Sequence, residues 1–257
     1  MSPRSFVAGV PLDPLTLAGA VDAIERLVRE GQGGTVLTPN VDHVVLVHED
    51  PRFRAAYEHA SLSLCDGKPV YWSSKLVGEP VPEKVSGSDL VMPVLERAAE
   101  RGLSVFLFGG APGSAEKARD ALATRLPALR IAGMAAPRVP VDHRPEAHAE
   151  AARTIAEARP DLVLVGLGAP KQELFAQAVR EAVRPAVLLC LGASIDFLAG
   201  AVPRAPVWMS EHGLEWLYRL GREPGRLWKR YLVRDPRFAA ILLRDLVRRR
   251  RTSHGAT

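Results

Sequence analysis

Apolar positions along this chain alternate between two rhythms. Within Leu15–Arg29, Leu17, Val21, Ile24 and Val28 recur at three- and four-residue spacing, which predicts an amphipathic helix with Asp13 as its N-cap and Pro14 in its first turn. Gly31 to Gly34 ends that helix, and the β-rich run Thr35–Thr38 reads as a strand passing through Pro39 and Asn40 into a helical stretch carrying Val44, Val45 and Val47. A helix over Asp50–His59 follows. Ser61–Cys65 then reads as a short strand that stops at Asp66 and Gly67, with a helix over Gly67–Val77 behind it.

The same unit recurs downstream. Apolar runs at Leu103–Phe108, Leu129–Gly133, Asp161–Val165 and Ala186–Cys190 predict strands, with helices over Ala115–Leu126, Arg144–Ala158 and the stretch after Lys171. Six or so βα units of this kind predict an α/β fold with a Rossmann-like parallel sheet, flanked by helices and built with right-handed crossovers. In such sheets ligands bind beyond the carboxyl ends of the strands, so the turns there hold the candidate chemistry. Thr38-Pro39-Asn40 sets polar side chains at that edge. Gly109-Gly110-Ala111-Pro112-Gly113-Ser114 is a glycine-rich strand-to-helix turn suited to phosphate, though neither GxGxxG nor a P-loop. Gly166 to Glu173 forms a sharp turn that brings Lys171 and Gln172, and Gly192 to Asp196 brings Ser194 and Asp196. The long loop Gly78–Asp89 delivers Lys84 and Ser86.

Asp66 has two readings at this stage. Asp is a preferred helix N-cap, and it precedes a helix. A carboxylate at a strand's carboxyl end beside a glycine is also a candidate general base.

Composition narrows the class. With 257 residues, 47% hydrophobic and 25% charged, the chain can bury a sizeable core. Cys65 and Cys190 have no CxxC or Cys/His spacing and read as buried hydrophobes, not as a disulfide or zinc site. The start, MSPRSFVAGVPLD, lacks a signal-peptide h-region and no window of eighteen apolar residues occurs, so the expectation is a cytoplasmic protein.

Charge changes the picture more. Residues 201–257 hold thirteen Arg or Lys against five Asp or Glu, a net +8, so with +5 overall the first 200 residues carry −3. That tail interleaves Trp208, Trp216 and Trp228 with arginines and ends in a helix whose apolar positions are Phe238, Ile241, Leu242 and Leu246, with Arg244 and Arg248 to Arg251 beside them. It divides the chain into a Rossmann-like domain at 1–203 and a helical appendage at 204–257. A basic amphipathic helix with aromatic neighbours fits an anionic membrane surface; it fits equally a C-terminal helix packed on its own domain.

Seven motifs in order, TPN at 38–40, DGKPV at 66–70, PEKVSGSDL at 82–90, LFGGAPG at 107–113, GLGAPKQE at 166–173, GASIDFLAG at 192–200 and EHGLEWLYRL with its EP and Arg sequel, are similar to those of the WecG/TagA/CpsF glycosyltransferases. The resemblance implies inverting, metal-independent and cofactor-free transfer of N-acetylmannosamine or its uronic acid from a UDP-sugar to a polyprenyl-pyrophosphate-linked sugar. The sequence agrees in having no DxD pair. The resemblance places the catalytic base on Asp66 and substrate contacts on Thr38, Asn40, Lys84, Gln172, Asp196, Arg219, Arg226 and Lys229; Gly109, in the glycine-rich turn suited to phosphate, is a further candidate substrate contact. Relatives more often carry Arg at the place of Lys84 and Gly at the place of Pro69. The implied partners are the sugar donor, the lipid-linked acceptor and the inner face of the cell membrane; no nucleic acid is implied, and a homo-oligomer is compatible. A nicotinamide-dependent oxidoreductase on the same fold and a non-enzymatic membrane adaptor are the alternatives.

Overall fold

The computed structural model describes residues 3–136, 145–201 and 205–254. The chain opens with a hairpin, β1 (Ser5–Val7) and β2 (Val10–Leu12), turned by Ala8 and Gly9 at φ 49° and 81°. Helix α1 (Leu17–Glu30) follows, then β3 (Gly34–Leu37), α2 (Val41–Glu49), α3 (Pro51–Glu58), β4 (Leu62–Ser63), α4 (Lys68–Leu76) and α5 (Gly87–Arg101). The second half runs β5 (Ser104–Gly109), α6 (Ser114–Arg125), β6 (Arg130–Ala135), α7 (Pro145–Ala158), β7 (Leu162–Gly166), α8 (Lys171–Val179), β8 (Val187–Cys190) and α9 (Ser194–Leu198). The tail holds α10 (Val207–Glu211), α11 (Glu215–Arg222), α12 (Pro224–Trp228), a π-helical segment (Lys229–Arg234) and α13 (Arg237–His254).

Strands β3 to β8 form one parallel sheet in the order β4-β3-β8-β7-β5-β6. Successive side chains of a strand point to opposite faces, and the core divides accordingly. Val36, Leu62, Val105, Leu107, Leu162, Leu164, Val187 and Leu189 pack under α1, α5, α6 and α9. Leu37, Phe106, Phe108, Val163, Val165, Leu188 and Cys190 pack under α2, α3, α7 and α8, with the hairpin's Val7, Val10 and Leu12. Burial on both faces accounts for the near-continuous apolar strands. The α/β, Rossmann-like reading thus matches the observed architecture.

Two local expectations are corrected. Asp13 does not cap α1; Thr16 does, its Oγ1 accepting from Gly19 N at 3.1 Å. The buried Asp13 carboxylate instead accepts from Ser63 N at 2.7 Å and from Arg4 Nε at 3.0 Å, tying the hairpin to β4. Nor was the hairpin expected, because its strands have three residues each. Arg144 and the boundary at 203/204 lie outside the described residues.

The C-terminal helix is packed on the domain along one face. Phe238, Ile241 and Leu242 join the cluster beneath α2, Asp245 Oδ2 accepts from Ala8 N at 3.0 Å, and Arg249 pairs with Glu79. Leu243 and Val247, on the other face, stay 62% and 42% exposed. Among the described residues no helix is long and apolar enough to cross a membrane.

Candidate active site

Beyond the carboxyl ends of β3, β4, β7 and β8, two cavities meet. The first, about 300 Å³, is bounded by Thr38, Asn40, Asp42, Gln172, Gly192 and the arginines Arg219, Arg230 and Arg234. The second, about 370 Å³, is more apolar, with Val41, Pro69, Trp216, Tyr231 and Phe238 beside Lys68 and Lys84. Asn40, Asp66, Glu215, Arg219 and Arg230 line both.

Asp66 sits where they join, and the main chain fixes it there. Its N–H donates to Pro39 O at 2.9 Å, and the Cys65 carbonyl before it accepts from Val85 N at 2.8 Å. Asp66 is therefore clamped between the β3 exit and the Lys84 loop. It does not cap α4: Gly67 holds the N-cap position at φ 85°, with no side-chain cap. Among the described residues the Asp66 carboxyl takes no hydrogen bond, so it is free for a substrate. Desolvation, reinforced by the charge of Glu215, pushes its pKa up to about 6 against the pull of Lys84 and Arg219. A carboxyl so tuned is ionised at neutral pH and still basic enough to accept a proton.

The other sheet-edge residues are held with equal definition. Thr38 Oγ1 donates to Cys190 O at 3.3 Å across the β3–β8 pair. Asn40 caps α2, its Oδ1 accepting from Asp42 N at 3.1 Å and from Arg230 Nη2 at 3.1 Å. Gln172 Oε1 accepts from Gly192 N at 3.0 Å while Nε2 donates to Glu173 at 2.7 Å. The amino ends of α5, at Ser86, Gly87 and Ser88, and of α8 both line the first cavity, where the positive end of each helix dipole favours an anion.

The appendage closes the far side. Arg230 Nε lies 3.2 Å from Asp42 Oδ2, and Arg234 Nη1 lies 2.9 Å from Asp42 Oδ1, with Asp42 only 2% exposed. Three guanidinium groups thereby line one small polar cavity. Among the described residues, no three or more His, Cys, Asp or Glu side chains are grouped to share a metal ion.

A profile of the family described as "Glycosyl transferase WecG/TagA/CpsF family" matches residues 6–252. The chain belongs to this family. Among its relatives is an N-acetylglucosaminyldiphosphoundecaprenol N-acetyl-beta-D-mannosaminyltransferase of Bacillus spizizenii, 32% identical over 83% of this chain and 80% of the relative. A protein of the same name from Bacillus subtilis is 29% identical over 93% of this chain and 91% of its own length. As a WecG/TagA/CpsF member the chain is a glycosyltransferase of the hexosyltransferase class, and neither the oxidoreductase nor the adaptor reading is favoured.

The structure gathers five of the residues expected from the family motifs, Thr38, Asn40, Asp66, Gln172 and Arg219, around the first cavity. Lys84 lies in the second beside Asp66, its Nζ 2.6 Å from Asp89 Oδ2. Gly109 and Asp196 line neither. Gly109 is needed for close approach: at φ 99°, a Cβ there would lie 2.7 Å from the Gly166 carbonyl oxygen. Asp196 Oδ1 accepts from Ala111 N at 2.8 Å, joining the β5–α6 and β8–α9 turns. Lys229 is exposed, with Nζ 5.6 Å from the Trp228 ring centroid, and lines neither cavity. The Arg226 side chain lies outside the described residues.

Sequence reasoning passed over Asp42, Glu215, Arg230 and Arg234. The available signals were weak: Asp42 stands two places after Asn40, and Arg230 and Arg234 share a face at i, i+4 spacing.

Proposed function

We propose that this glycosyltransferase moves N-acetylmannosamine, or its uronic acid, from a UDP-sugar to an N-acetylglucosamine-diphosphate polyprenol in cell-envelope polymer synthesis. The observation that carries the reading is the Asp66 carboxyl, unbonded and open to a polar, arginine-lined cavity on one side and an apolar one on the other. The polar cavity suits the donor diphosphate, the apolar one the lipid-linked acceptor. Two relatives of this chain carry names for such a transfer.

In this mechanism Asp66 takes the proton of an acceptor hydroxyl as its oxygen attacks the anomeric carbon. The new glycosidic bond forms opposite the breaking bond to UDP, which inverts the configuration. Arg219, Arg230 and the amino ends of α5 and α8 meet the charge developing on the diphosphate, so we read the transfer as metal-independent. Thr38 and Asn40 contact the sugar, and Lys84 supports Asp66 and the acceptor side. The domain division is retained in this reading: 1–203 performs the chemistry and 204–257 delivers the acceptor from the inner face of the membrane. Trp208, Trp228, Leu232 and Val233, 57%, 44%, 58% and 51% exposed, suit the interface, with Leu243 and Arg244 on α13.

The test offers the purified protein UDP-N-acetylmannosamine and a synthetic N-acetylglucosamine-diphosphate lipid, either short-chained in solution or long-chained in phosphatidylglycerol vesicles. The expected product is the acceptor plus one β-linked N-acetylhexosamine, formed faster on vesicles. No transfer from any UDP-N-acetylhexosamine or from UDP-N-acetylmannosaminuronic acid would overturn the function, and equal rates in both formats would overturn the membrane role.

A further inference from the structure

Beneath the first cavity lies a chain of buried polar side chains that the transfer step does not use. Tyr57 OH and His43 Nδ1 are 2.6 Å apart; His43 Nε2 stands 3.9 Å from Glu173 Oε1; Glu173 Oε1 accepts from Gln172 Nε2 at 2.7 Å; and Gln172 Oε1 accepts from Gly192 N at 3.0 Å. Tyr57, His43, Gln172 and Glu173 are at most 3% exposed, and Glu173 Oε2 has no hydrogen-bond partner. A fully buried carboxyl with an orphan oxygen is costly, and it sits in the first turn of α8, next to the donor cavity.

Its partner explains what it does. The two ends of a glutamine carboxamide are nearly the same size and opposite in hydrogen-bonding sense, so only the neighbours decide which end points where. Gly192 N–H requires the oxygen. Among the described residues only Glu173 Oε1 supplies an acceptor for the amino group; without it Gly192 N–H alone opposes a half-turn that would set Nε2 against it, donor to donor, and the carboxamide is held at one end only. Gly192 and Ala193 line the cavity, so that half-turn would displace its wall.

We propose that Glu173 is a positioning residue: it fixes the sense of the Gln172 carboxamide, and through Gly192 it fixes the β8–α9 turn that receives the donor diphosphate. The contact with His43 is not an ion pair, since burial first and Arg230 second hold the imidazole's pKa down to about 3. The groups facing Glu173 are Gln172 on its own helix, His43 and Asp42 on α2, Tyr57 on α3, Cys190 on β8 and Arg230 on the π-helical segment. Desolvation raises the Glu173 pKa to about 7, which keeps much of the group uncharged near neutrality.

This inference deepens the donor-site reading and rests on it. The test compares the wild type with Glu173→Met and Glu173→Gln by calorimetry with UDP, by transfer kinetics and by amide hydrogen exchange at Gly192. Loss of one hydrogen bond's net worth predicts that Glu173→Met weakens UDP binding and raises donor KM about tenfold, with a smaller change in kcat. Exchange at Gly192 accelerates, while exchange in β5 and β7 does not. Glu173→Gln, which keeps an acceptor for Gln172, restores slow exchange and most of the affinity. Unchanged Gly192 exchange in Glu173→Met, or equal loss in both variants, overturns the proposal. If the wild type binds no UDP, the donor-site reading fails, and Gly192 exchange still decides whether Glu173 holds the turn.

Discussion

The two walls of the first cavity are held by different forces. On the sheet edge, Thr38, Asp66 and Gln172 each bond to the main chain of the core, at Cys190 O, Pro39 O and Gly192 N. On the appendage side, α11 and the π-helical segment bury none of their residues, and their anchors are Leu227, Phe238 and the charge pairs on Asp42. In the proposed mechanism the sheet edge fixes geometry to the precision that proton transfer demands, whereas the appendage supplies positive charge, which acts over longer range and tolerates looser placement. Asp42 is where the two meet. Exposed ion pairs contribute little, but a carboxylate 2% exposed that takes two guanidinium groups must keep them or pay for an unpaired buried charge.

The contrast is broken most sharply at Asp66. Asp66→Asn keeps the main-chain clamp and the shape but removes the base; kcat should fall about 10²- to 10⁴-fold with UDP binding within a factor of about three. Retained turnover would take catalysis away from the sheet edge. Asp42→Asn tests the other wall. It weakens the tie of Arg230 and Arg234, and kcat/KM should fall about tenfold to a hundredfold, in keeping with ~1.5–3 kcal/mol for charge-assisted bonds. Limited trypsin digestion should then cut at Arg222 or Arg234 earlier while the sheet domain stays intact. Wild-type digestion rates would show that the Asp42 pairs do not hold the appendage.

The same contrast governs what was legible in the sequence. Buried parallel strands are written as apolar runs, and each glycine- or proline-marked turn sits where the chain must leave the sheet, so Thr38, Asp66 and the Gln172 turn were readable from local pattern and family motifs. Asp13 shows the limit of that pattern: it has the residue type and place of an N-cap, yet a long-range bond to Ser63 N claims it and Thr16 takes the cap. Asp66 shows the reverse, a cap by residue type whose carboxyl is left open because Gly67 takes that position. The Asp42–Arg230–Arg234 cluster spans 188 to 192 residues of sequence, and nothing in local pattern links its ends. Asp196 and Gly109 were legible as turn residues, but their work is to join neighbouring turns.

The smallest expected effect concerns the buried acids of both walls, and it depends on signs. Burial raises Asp66 and Asp235 to about 6 and Glu173 to about 7, above their values in an unfolded chain. Each therefore holds a proton more tightly in the folded state; its contribution is fully present below about pH 4 and is lost as pH rises through 6 to 7. His43 runs the other way. Held down to about 3, it stabilises above about 6.5 and its contribution is lost as pH falls below that value. Between pH 4 and 6.5 the two trends oppose, but from pH 6.5 to 8 His43 is silent and Glu173 is the main group of the four still titrating. Stability should fall there by about 1 kcal/mol, or about 2–4 °C in Tm, and Glu173→Gln should flatten that fall. Activity should move oppositely over the lower range, rising tenfold per unit below about pH 6 as Asp66 loses its proton. A Tm that rises from pH 6.5 to 8 would show that Glu173 is ionised at the sheet edge, and a transfer rate flat from pH 5 to 7 would show that Asp66 is not the group that must lose a proton.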